Sequence, residues 1–149
     1  MQLPQRVAVG AFVVPALLAS VGLAAHPAPV VAPGQLVIAV RQVEVVLAGT
    51  AASAEERQQV VDAVRALTDH RVTDVMTLGD RLPVAPGVVT SVLRAVLDHG
   101  VTEFTGVVHE GHLTASARVE DPERAGSLSD ALRSAAPGLR VDEDFTTTG

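Results

Sequence analysis

The chain contains no cysteine, no tryptophan, no tyrosine and no lysine, and only three phenylalanines among its 149 residues. Without cysteine, disulfides, thiolate catalysis and Cys-ligated metal sites are excluded; the redox compartment is left open, so an extracytoplasmic address is permissible. All 11 basic residues are arginine, and they stand against 17 acidic ones for a formal net charge of -6. That balance, with no basic patch, argues against nucleic acid as a partner, because phosphate-backbone binding draws on clustered Lys and Arg. The length suits one domain with a real core, or two very small ones packed together. It is too short for an elaborate multidomain enzyme.

Apolar residues make up 48% of the chain and are concentrated at the N-terminus in "VAVGAFVVPALLASVGLAA", the 19 uncharged residues from Val7 to Ala25. As a helix this run would reach about 28 Å, close to the hydrocarbon thickness of a bilayer. Arg6 before it weakly favours the N-terminus inside and the remainder translocated. Three readings are open: an uncleaved membrane anchor, which fits the length; a signal peptide cleaved near Gly22, Ala24 and Ala25; and a buried core helix. Pro15 does not decide between them, since membrane helices tolerate a Pro kink. The first two readings place the rest of the chain outside the cytoplasm, and the expectation adopted is a single-pass membrane protein with an extracytoplasmic C-terminal domain.

After this segment, residues 1–26, the stretch "HPAPVVAPG" carries three prolines and ends in glycine, which makes residues 27–34 an extended linker. "QLVIAV" and "VEVVLAG" are β-branched runs too short for typical helices, and they read as two strands joined by a tight turn at Arg41-Gln42. Ser53 with Glu56 three residues on forms a capping box, in which hydroxyl and carboxylate each satisfy a free backbone N–H. Val60, Val61, Val64 and Leu67 then recur at helical spacing, predicting an amphipathic helix from about Ala54 to Thr68. "RVTDVMTL", Arg71 to Leu78, reads as one strand. Val88, Val92, Leu93 and Val96 predict a second helix ending at Gly100, a C-cap with positive φ. "VTEFTGVV" and "LTASARV" are again strand-like; Asp121 caps a third helix with Pro122 in its first turn, and "LRVDEDFTT" is a closing strand.

Laid end to end, the pattern is β-β-α-β, a connecting helix, and β-β-α-β again, which invites a search for an internal repeat. A shift of 68 residues carries Leu36 onto Phe104, Val40 onto Val108 and Val45 onto Leu113, and sets Asp62-Ala63-Val64-Arg65 on Asp130-Ala131-Leu132-Arg133. One inserted residue later, Arg71-Val72 falls on Arg140-Val141. Each unit of about 40 residues is too small to bury a core alone, whereas two packed together, with helices on one face of a mixed sheet, are not. The expected class is α+β, with one unit over residues 35–80, a connecting segment and helix over 81–100, and a second unit over 101–149.

In the first unit, Val45, Leu47, Gly49, Ser53, Val72 and Val75 stand where the BON domain has its hydrophobic-x-Leu-x-Gly strand, its Ser/Pro-rich helix start and its closing Val-x-(Asp/Asn)-x-hydrophobic strand. The chain resembles that family. With its N-terminal span and linker it resembles in particular the BON-like repeats of mycobacterial OmpA-like proteins of the ArfA type, and a composition without lysine but rich in Ala and Val resembles proteins of actinobacteria. The second unit departs from the pattern, with Ala117 in place of the glycine. The C-terminal OmpA-like domain that binds peptidoglycan in those relatives has no counterpart in this sequence, so peptidoglycan binding is not carried over. The resemblance implies a noncatalytic cell-envelope protein whose repeats associate with membrane, cell wall, partner proteins or each other. The alternative is a secreted module that binds a small molecule or lipid after its signal peptide is removed.

The stretch His109-Glu110-Gly111-His112 is not a zincin motif, because the second His comes one residue early and an intervening Gly disfavours a helix. At the 68-residue offset it falls on Arg41 to Glu44, where the first unit turns between strands. It therefore reads as a hairpin tip with Gly111 supplying positive φ and His109 and His112 flanking it. A weak metal contact at that His pair is the one candidate; otherwise no metal and no cofactor is expected. His70 and His99 stand at predicted helix ends, where the helix dipole favours a cation. No Gly-x-Ser-x-Gly elbow is present, Asp142-Glu143-Asp144 reads as a solvated strand end, and no catalytic function is expected.

Overall fold

β1 (Leu36–Arg41) and β2 (Glu44–Ala51) are apolar at consecutive positions because both of their faces are buried, and a strand covered on two sides loses the polar alternation of a half-solvated one. They belong to the part of the chain that the computed structural model describes, residues 34–148. The apolar run Val7–Ala25 lies outside those residues, and among the described residues no helix is long and apolar enough to cross a membrane.

The remaining elements follow in the expected order: α1 (Ala54–Leu67), β3 (Arg71–Asp74), β4 (Thr77–Leu78), α2 (Pro86–Asp98), β5 (Glu103–His109), β6 (His112–Val119), α3 (Pro122–Ala135) and β7 (Arg140–Thr147). The strands form one sheet in the order β3-β2-β1-β5-β6-β7, with β4 beside β2. The β1–β2, β1–β5 and β5–β6 pairs are antiparallel, and β2–β3 and β6–β7 are parallel. This is an α+β fold with a mixed sheet.

The register carries an approximate two-fold axis. Leu36 pairs with Val108 and Val40 with Phe104, two pairs that exchange under the 68-residue shift, while Ile38 pairs with Gly106, its own counterpart. The axis therefore passes between Ile38 and Gly106. The hairpins obey the same relation, Leu36–Gly49 matching Phe104–Ala117, and the parallel pair Glu44–Arg71 matches His112–Arg140 after one inserted residue. Two β-β-α-β halves thus meet edge to edge through β1 and β5.

Leu36, Ile38, Val40, Val45, Leu47, Phe104, Val108 and Leu113 point to one face of the sheet, where Val60, Val61 and Val64 of α1, Val89, Val92, Leu93 and Val96 of α2, and Leu128 and Leu132 of α3 close a single core. α2 packs against both other helices and so ties the halves together. Its C-terminus is closed as proposed: Gly100 takes φ +68, Gly100 N–H donates to Leu97 O, and Val101 N–H donates to Val96 O. These are the two bonds of a Schellman motif. Asp121 caps α3 by accepting from Arg124 N at 2.8 Å, with Pro122 in the first turn.

Three local expectations are corrected. The first hairpin turns at Gln42-Val43, one residue beyond the expected pair, with Gln42 at φ +57; placing Arg41 in β1 aligns it with Glu103 of β5. "RVTDVMTL" is two strands, because the Asp74 carboxylate accepts from Met76 N and this local turn breaks the ladder. Val75 falls in the gap and Met76 enters the core. Glu56 does not close a reciprocal capping box on Ser53: it accepts from Ala52 N at 2.9 Å and from Leu82 N at 3.0 Å, while Ser53 accepts from Glu56 N as expected.

Candidate functional site

The residue pattern at the end of the second half builds an open cleft of about 470 Å³. The C-terminus of α2 supplies His99 and Gly100, the following turn Val101 and Thr102, the start of β5 Glu103, the end of β6 Arg118, Val119 and Glu120, the first turn of α3 Arg124, and the residue after β7 Thr148. The wall of the cleft is fixed by backbone: Thr148 N–H donates to Val119 O, extending the β6–β7 ladder by one bond.

Its charges are of both signs and loosely paired. Arg118 Nε lies 3.8 Å from Glu103 Oε1, and Arg124 Nε lies 3.5 Å from Glu120 Oε1, with 61% of the Arg118 side chain and 51% of the Arg124 side chain exposed. Ion pairs of this length and exposure contribute little, at most about 1 kcal/mol each. Arg124 also donates from Nη1 to His99 O at 3.2 Å, placing a cation against the negative end of α2. His99 Nδ1 lies 2.7 Å from Ala95 O one turn back. The Arg118 pair is long and exposed, and Arg124 adds to its own pair the hydrogen bond to His99 O.

The hairpin tip is at the opposite end of β5 and β6. Glu110 takes φ +49 and Gly111 φ +79, the two left-handed positions of a type I′ turn. His109 and His112 face each other across it in register. Each imidazole has its own carboxylate: His109 Nε2 is 3.3 Å from Glu110 Oε1, and His112 Nδ1 is 3.4 Å from Asp142 Oδ2 on β7. Among the described residues no three or more His, Asp and Glu side chains are gathered so as to hold a metal ion.

The resemblance positions are architectural. Val45 and Leu47 are fully buried, Ser53 caps α1, Val72 packs on the core, and Gly49 takes φ +143, where an added Cβ would lie 2.5 Å from Gln35 O. They hold the fold and do not line the cleft. The cleft residues themselves escaped the motif reading, although a signal was present. At the 68-residue offset, Thr50, Ala51, Ala52 and Glu56 of the first half become Arg118, Val119, Glu120 and Arg124, so the second half gains charges where the first is small and neutral and reverses one sign.

No protein-family model matches the chain, and no curated protein matches it either.

Proposed function

We propose that the chain is a noncatalytic cell-envelope protein, held in the membrane by Val7–Ala25, whose BON-like α+β domain stands outside the cytoplasm and associates with membrane, cell wall or partner proteins. The observation that carries this reading is the conjunction of a 19-residue uncharged apolar run and a Pro-rich linker with a domain whose charged side chains serve caps and strand-end pairs. A run of that length satisfies the bilayer, and the residues from 34 onward have a core of their own. Lipid is then the partner of the span, and proteins, wall or a second copy are partners of the domain.

Fractionation of the producing cells combined with intact-mass measurement tests the reading. The full-length chain, with Met1 or the residue after it at its N-terminus, is expected in the membrane fraction and resistant to a salt wash. Recovery only from the cytosol would overturn it. The open cleft favours a second reading, a secreted binding module; that reading requires a mature N-terminus near Ala25 in the extracellular fluid.

A further inference from the structure

We draw no further inference here: the strongest candidate, the sheet face opposite the three helices around Val37, Ala39, Val46 and Ala48, is an apolar face for which nothing among the described residues shows what covers it.

Discussion

Gly49→Ala is the substitution on which the close approach of β2 to β1 is most directly measured. At φ +143 the residue sits in backbone territory that L side chains rarely adopt, and the new Cβ would lie 2.5 Å from Gln35 O, 3.1 Å from Leu36 Cα and 3.4 Å from Gln35 C. All three are backbone atoms at the start of the central strand, so no side chain can swing aside. Conformational strain at such a position costs about 1–3 kcal/mol, and forcing extra volume into a packed site costs about 1–3 kcal/mol more. The sum, about 2–6 kcal/mol, is a large part of the roughly 6–17 kcal/mol expected of a domain this size. Urea unfolding of the chain truncated before residue 31 measures it. Far-UV circular dichroism is the proper probe, because with no Trp and no Tyr intrinsic fluorescence reports nothing. Ala117→Gly at the equivalent position of the second half is the control: Ala117 is regular strand opposite Phe104, and exchanging it for glycine should cost only about 0.5–1 kcal/mol. A Gly49→Ala loss below about 1 kcal/mol, or one no larger than that of Ala117→Gly, would refute the close-approach argument.

Glu56→Gln should weaken the clamp on Ala52 N and Leu82 N by about 1 kcal/mol, the low end for a charged acceptor because the carboxylate is solvent-screened. Those two hydrogen bonds hold its pKa below the usual 4.5 against a small desolvation that raises it. A depressed folded-state pKa means that its stabilisation is fully present above 4.5 and is lost as pH falls through the folded value. Urea midpoints measured from pH 6 down to pH 3 should therefore fall less steeply in the glutamine variant, and parallel curves would contradict the assignment. Gly111→Ala should cost about 1–2 kcal/mol from backbone strain alone, since φ is +79 and nothing lies within 4 Å of the added Cβ. Gly138→Ala, equally unobstructed and without positive φ, should not destabilise the fold, and equal losses at the two sites would remove the turn argument. Phe104→Ala empties the largest fully buried side chain among the described residues and should cost about 3–5 kcal/mol; a midpoint shift worth less than about 1 kcal/mol would show that the ring does not seal the core over Gly106.

What the sequence determined by itself is what short-range physics controls. Helix lengths followed from the spacing of Val60, Val61 and Val64 and of Val92, Leu93 and Val96; the ends followed from Ser53, Asp121 and Gly100; and the tight turn followed from Gly111. Each depends on atoms within a few residues. The 68-residue correspondence was legible as well, because both halves bury equivalent positions and so repeat the same polarity. Local breaks were harder: the Asp74 turn that splits β3 from β4 competes with a β-prone run, and composition alone does not say which wins. Only the tertiary structure decided how the halves join. The β1–β5 pairing lies between residues far apart in the chain, and its hydrogen bonds carry no sequence periodicity. The second role of Glu56 depends on Leu82, which is 26 residues away and arrives only once α1 and the loop before α2 have packed. The cleft follows from the same cause. Its lining comes from the end of α2, the start of β5, the end of β6, the first turn of α3 and the residue after β7, positions that are brought together only after the chain has folded across its own two-fold axis.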